Sequence, residues 1–291
     1  MEAFDYSAPR TLAEAYALIG NGRSSQFLAG GTDIIVQLRE GRRHCDQLID
    51  LKHISELMSL GWAADGTLEI GAARPLAEIY EDAEVARRLP GLVDAAALIG
   101  GIQIQSRASL GGNLCNASPA ADSAPALMAL GARLVIGSAA GNRELPVGDF
   151  FLAPGRSALQ PNEILVQLRI PPPAPNAATF FLRFIPRNEM DIAVVSAGAM
   201  LRLNPARDRI EAARVALGAV GPTPLMAPGA ATALVGQPPT RETFEKAGAA
   251  AAEVATPITD MRGSIAQRRH LAAVLTIRAL EGALQRAREA R

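Results

Sequence analysis

Two glycine doublets are the residues of this sequence best placed to do chemistry, and the chemistry they suit is holding anions. The first lies in Ala29-Gly30-Gly31-Thr32-Asp33 and the second in Ser109-Leu110-Gly111-Gly112-Asn113. A loop without side chains can turn consecutive backbone N–H groups toward one negative group and approach it closely. Two such loops in distant parts of one chain suit a ligand with more than one phosphate, such as the pyrophosphate of a dinucleotide. A single Gly-Gly between strand and helix is often only a tight turn. The pair says more, because each doublet is followed by polar side chains. The run from Asn113 to Asp122 is also small, polar and turn-prone, so it can lie against a ligand.

Other chemistries lack their residues. No GxGxxG follows a strand-like run, and there is no GxxxxGK[ST], HExxH or GxSxG. His44 and His53 sit among polar residues and His270 falls on a predicted surface helix, so all three read as solvated rather than catalytic. Cys45 and Cys115 are isolated and form no disulfide framework, CxxC or cluster ligand set. Cys115 reads as a small apolar filler. No catalytic side chain and no metal site is expected. Lys+Arg and Asp+Glu both total 29, a balance that argues against a nucleic-acid partner. No apolar run approaches the roughly 18 residues of a membrane span. Glu2 and Asp5 break the basic-then-apolar pattern of a secretory signal, so a cytoplasmic location is expected.

The elements that must position the doublets fall into three regions: 1–58, 59–173 and 176–291. In the first, Thr11 and Glu14 form a capping box for a helix over 12–19. A strand over 26–28 runs into the first doublet, and Thr32 or Asp33 caps a helix over 34–40, a phosphate-binding arrangement. A strand over 47–51 and a short helix near 54–58 close this unit. The second region has a strand over 67–70, helical stretches over 75–80 and 84–99, and strand and loop over 100–113. A helix capped by Asp122 or Ser123 runs to 128, and strands follow over 133–136 and, by alternation, 164–170. The prolines of 171–175 form a linker. Beyond it, strands over 179–185, 192–203 and 210–220 precede helices over 240–254 and 264–288, the last with Ser264 and Gln267 as its capping box. Strands followed by helices suggest an α+β domain with helices on one side of a three-stranded antiparallel sheet.

Leu28-Ala29-Gly30-Gly31-Thr32-Asp33, Ser109-Leu110-Gly111-Gly112-Asn113 and the following Asn116-Ala117-Ser118-Pro119-Ala120-Ala121-Asp122 together resemble the FAD-binding medium subunit of molybdenum hydroxylases. The likeness continues through Gly148-Asp149-Phe150-Phe151, Asn162-Glu163-Ile164-Leu165 and Arg187-Asn188-Glu189-Met190-Asp191-Ile192-Ala193, covering nearly the whole chain. It implies a fold of the vanillyl-alcohol-oxidase (PCMH) type, with two α/β subdomains gripping FAD and a C-terminal α+β domain.

Carried onto this sequence, the resemblance puts the pyrophosphate on the backbone of the two doublets, Ala29 to Asp33 and Ser109 to Asn113, with Leu28 also among the cofactor-binding residues. Asp122 would accept hydrogen bonds from the ribityl or adenosine end, with Asn116 and Ser118 nearby. Ile99 and Leu165 would give backbone or apolar contacts. Arg183 would lie by the flavin ring, where a fixed cation favours added electrons, or be an ordinary strand-face charge. The implied partners are a large molybdopterin subunit and a small [2Fe–2S] subunit, assembled as a dimer of heterotrimers. Unlike the related 4-hydroxybenzoyl-CoA reductase subunit, the chain has no inserted cysteine-rich loop after Asp122, so FAD is the one cofactor expected here. Two other roles stay open on the residues alone: a stand-alone flavin enzyme of the same fold, and an assembly subunit without flavin.

Overall fold

The computed structural model describes residues 2–187 and 190–289, so Asn188 and Glu189 of the motif starting at Arg187 lie outside the described residues. The first unit comprises β1 (Asp5–Ser7), α1 (Leu12–Ile19), β2 (Ser25–Leu28), α2 (Ile34–Arg39) and β3 (Gln47–Asp50), with parallel strands in the order β1-β3-β2. Thr11 caps α1 as expected, its Oγ1 accepting the Glu14 N–H at 3.2 Å. Glu14 reaches one residue beyond the cap and accepts the Arg10 N–H at 2.7 Å. Buried Gln47 ties β3 to its surroundings by donating to Leu18 O at 2.8 Å and Ser25 Oγ at 2.7 Å.

The second unit opens with β4 (Leu60–Trp62) and β5 (Leu68–Gly71). Six short helices follow: α3 (Leu76–Tyr80), α4 (Ala83–Arg88), α5 (Pro90–Ala96), α6 (Ile102–Gln105), α7 (Leu110–Cys115) and α8 (Ser123–Leu130). Then come β6 (Arg133–Ser138), β7 (Gly141–Pro146), the small hairpin of β8 (Phe151–Ala153) and β9 (Arg156–Ser157), and β10 (Ile164–Ile170). The larger sheet is antiparallel, in the order β4-β5-β10-β6-β7.

Two expectations are corrected here. The helix read over 84–99 breaks at Leu89, because Pro90 has no N–H to continue α4 and instead opens α5. The stretch 100–113, read as strand and loop, is helical at α6 and α7. Ser109 Oγ caps α7 by accepting the Gly112 N–H at 3.1 Å, which helps offset the poor helix propensity of the doublet.

The third unit is β11 (Ala177–Phe184), β12 (Val195–Leu203), β13 (Ile210–Gly218), β14 (Leu225–Met226), α9 (Pro228–Leu234), α10 (Arg241–Glu253) and α11 (Ile265–Glu289). Its antiparallel sheet has four strands, not three; β14 and α9 are too short to leave a readable period. Helices also cover both faces of the sheet rather than one. Ala197, Ala199 and Leu201 of β12 join the core with α11, while Gly198 faces α8, where a Cβ would stand 2.5 Å from Pro125 O. That is why β12 is buried at every residue except Arg202 and shows no alternation.

The seam between the second and third units is polar as well as packed. Arg286 of α11 grips Asp94 of α5 through two bonds of 2.6 and 2.9 Å, donates to Thr179 O at 2.9 Å, and lies over the Phe180 ring. Asp94 also accepts the Phe181 N–H at 3.2 Å. Arg214 of β13 donates to Ala129 O at 2.7 Å and Leu130 O at 3.3 Å, satisfying the last carbonyls of α8. Arg286→Ala is expected to lower stability in urea unfolding by about 2 kcal/mol through lost charged hydrogen bonds. Arg241→Ala, whose pairs with Glu245 and Glu281 are exposed, is expected to cost under about 1 kcal/mol.

Candidate cofactor site

The first glycine loop leaves β2 and enters α2, and the second forms the first turn of α7. Their meeting is set by the absence of side chains. A Cβ on Gly30 would stand 2.0 Å from Arg107 O, so the first loop abuts the peptide just before α7. A Cβ on Gly111 would stand 2.4 Å from Ala72 O, and the Gly111 N–H donates to that oxygen at 3.1 Å. Gly31 has a φ of +80°, a left-handed conformation natural to glycine. Gly112 differs from all three: a Cβ there would meet only its own cap, Ser109 Oγ, at 3.2 Å. Gly30 and Gly111 therefore serve packing, Gly31 serves backbone direction, and Gly112 leaves open space.

Between the loops lies a cleft of about 310 Å³. Ala29, Gly30, Gly31, Thr32, Asp33, Ile99, Ser109, Gly111, Gly112, Asn113, Asn116 and Leu165 all line it. Among the described residues, the N–H groups of Gly30, Gly31, Thr32 and Asp33 have no acceptor within the protein. Asp33 stands at the N-cap position of α2 without a side-chain cap bond. The two halves are pinned by Gln37, which donates from α2 to Asn116 Oδ1 at 3.1 Å. Asn113 Oδ1 accepts the Ser123 hydroxyl at 2.6 Å, fixing α7 against α8. Cys115 lines the cleft too; burial pushes its thiol up to about 12, so it is protonated and no nucleophile.

Leu28, Ser118, Asp122 and Arg183 lie outside the cleft lining. Ser118 forms a local turn by accepting the Ala120 N–H at 3.2 Å. Asp122 holds the N-cap position of α8 but makes no cap bond. Its Oδ2 instead accepts from Arg183 Nη1, joining the second unit to β11 of the third. Both side chains are buried, and Asp122 Oδ1 and Arg183 Nε have no partner. Burial pushes the Asp122 carboxyl up to about 6, against the pull of the Arg183 charge.

Sequence reasoning missed other lining residues, among them Gln26, Phe27, Gln37, Arg43, Ala72 and Ala108. The alanines carry no chemical signal. Gln37 lies one helical turn after Ile34, so a reading of the ligand-side face of α2 could have found it. Of the expected non-participants, His44, His53 and His270 are exposed. No group of three or more His, Cys, Asp or Glu side chains gathers as a metal site among the described residues.

A glycine-lined cradle whose first loop, among the described residues, leaves four consecutive N–H donors unpaired fits the pyrophosphate of a dinucleotide. The architecture is that of the FAD-binding flavoproteins of the PCMH type. Residues 2–173 match the family described as the FAD binding domain in molybdopterin dehydrogenase, and residues 180–283 match the CO dehydrogenase flavoprotein C-terminal domain. The chain belongs to this family of FAD-binding medium subunits of molybdenum hydroxylases. It is 32% identical over 280 residues to the xanthine dehydrogenase FAD-binding subunit of Escherichia coli O157:H7, covering 96% of this chain and 95% of that one. Against the carbon monoxide dehydrogenase medium chain of Hydrogenophaga pseudoflava it is 30% identical over 284 residues, covering 97% and 98%. A solved structure of carbon monoxide dehydrogenase from that organism matches with a TM-score of 0.93 at 30% identity, over 98% of each chain. Quinoline 2-oxidoreductase from Pseudomonas putida 86 matches with a TM-score of 0.91 at 31% identity, also over 98% of each.

The raised Asp122 carboxyl sets a pH dependence. Between its ordinary value of 3.8 and about 6, the folded chain holds a proton that the unfolded chain has lost. Stability from this group is therefore greatest at low pH and declines as pH rises through that window. In urea melts across the window, the stability of the wild type minus that of Asp122→Asn is expected to fall as pH rises from 3.8 to about 6.

Proposed function

We propose that this chain is the FAD-carrying electron-transfer subunit of a three-component molybdenum hydroxylase. Substrate is oxidised at a molybdopterin centre in a large partner subunit, and electrons pass through [2Fe–2S] clusters of a small one to the FAD held here. An external acceptor then takes them. The observation that carries this reading is the cleft closed by both glycine loops, in a chain related along its whole length to such subunits. A dimer of heterotrimers and a cytoplasmic location complete the proposal, on the family likeness. No helix among the described residues is long and apolar enough to cross a membrane.

Bound FAD supplies electron storage and transfer, and this chain supplies its binding and surroundings. The N–H groups from Gly30 to Asp33 would hold the pyrophosphate, with Leu28 and Ala29 leading in from β2. Ser109, Asn113 and Asn116 would add polar contacts, and Ile99 and Leu165 would exclude water. Asp122 Oδ1, with Ser118 nearby, is free to accept a hydrogen bond, and Arg183 would add a fixed cation near the flavin end. No cysteine–histidine or carboxylate–histidine pair lines the cleft among the described residues, in keeping with a subunit that performs no substrate chemistry.

The test is the visible spectrum of the chain purified gently from its host. Flavin bands over an iron–sulfur background are expected; a colourless chain that takes up no FAD overturns the reading. Gly112→Val is expected to lose FAD while keeping its circular dichroism and melting temperature, because it fills ligand space rather than packed space. Gly30→Ala is expected to lose fold and flavin together, since its methyl group meets the Arg107 carbonyl.

A further inference from the structure

Arg43 is the one cationic side chain lining the cleft among the described residues, and Asp33 the one carboxylate. Everything else there is apolar, glycine or an uncharged polar group. A dinucleotide brings two negative charges on its pyrophosphate, so a cleft of this composition has one obvious side-chain counter-charge. The local fold delivers Arg43 to that position. α2 ends at Arg39, Gly41 turns the chain with a φ of +70°, and the N–H groups of Arg42 and Arg43 both donate back to Gln37 O. This brings Arg43 beside α2 and against β2, where its Nη1 donates to Gln26 Oε1 at 3.3 Å.

The rest of that guanidinium is unspent. Among the described residues, Arg43 has no carboxylate within ion-pair distance, unlike its neighbour Arg42, which pairs with Glu40. Beyond the bond from Nη1 to Gln26, its Nε and Nη2 have no side-chain or backbone acceptor among the described residues. An arginine that is half-buried, held by a glutamine, lines an anion-binding cleft and has donors to spare suits a phosphate oxygen, which its fork of donors can engage.

We propose that Arg43 is a cofactor-anchoring residue, its guanidinium engaging the phosphate-bearing half of the dinucleotide and adding charge to what the neutral glycine loops provide. This rests on the reading of the cleft as an FAD site. It makes affinity in this chain depend on charge as well as backbone fit, and it separates ligands with phosphate from those without.

The experiment uses the full-length chain stripped of flavin and titrated with FAD or riboflavin, binding being read by quenching of flavin fluorescence. Arg43→Gln is expected to weaken FAD about tenfold, the worth of one charge-assisted contact, and to leave riboflavin unchanged. Raising salt from about 0.05 to 0.5 M is expected to weaken FAD binding less in Arg43→Gln than in the wild type. Arg43→Lys, which keeps the charge without the fork, is expected to fall between them. Unchanged FAD affinity and salt response in Arg43→Gln would overturn the role of Arg43 and leave the FAD site standing. Equal weakening of FAD and riboflavin, or loss of the folded circular dichroism spectrum, would make Arg43 a wall of the cleft and likewise overturn the proposal. A wild-type chain that binds no FAD would remove both readings together.

Discussion

At Gly30 the first loop comes so near the Arg107 peptide that a single methyl carbon would lie 2.0 Å from its carbonyl oxygen. Atoms essentially never approach so closely, so the first unit can meet the second in this way only where a side chain is missing. The cleft exists because of that approach. Gly111 repeats it one step deeper, against Ala72, and fixes α7 on the strand end that leads into the large sheet. With the two loops held, the N–H groups of Gly30 to Asp33, unpaired among the described residues, line one side of the cleft and α7 the other, so its glycine-bearing walls are set by backbone. A site of this kind needs little reorganisation to receive its ligand, which lowers the entropic cost of binding.

A second constraint works at the seam with the C-terminal unit. α8 begins just after Asp122, presses Pro125 into the space left by Gly198 and Gly218 of the third sheet, and ends with its carbonyls held by Arg214. Arg286 and Asp94 fasten the same two units further along. The Asp122–Arg183 pair therefore sits where the cofactor region and the C-terminal unit are joined, with one oxygen and one nitrogen left unpartnered. Buried polar atoms without partners are costly.

The division of labour follows from these surroundings. Electron chemistry resides in a flavin, and the protein contributes geometry, charge and exclusion of water. The Cys115 thiol in the cleft is held protonated by burial, and the histidines are at the surface, so no side chain there competes with that chemistry. Membership of the molybdenum-hydroxylase medium-subunit family accords with a cleft that, among the described residues, is lined by no Cys–His or carboxylate–His pair.

The sequence by itself determined what local rules and motifs can carry. Thr11 and Ser264 cap their helices through bonds spanning three residues, and the linker prolines end the second unit for the same short-range reason. The glycine doublets and their polar followers marked the ligand site, because a missing side chain is visible in any sequence. Only the tertiary structure decided the rest. α7 looked unlike a helix because its propensity is poor, and it holds through its Ser109 cap and the packing of Gly111 on Ala72. The burial of β12 on both faces erased the alternation that would have given its exposure away. Asp122 found Arg183 at 61 residues' remove, and Arg43 reached the cleft through a turn whose consequence depends on β2 lying alongside. Spacing along a chain records neighbours within a turn or two, whereas burial, ion pairing and the walls of a cleft depend on which distant segments the packing brings together.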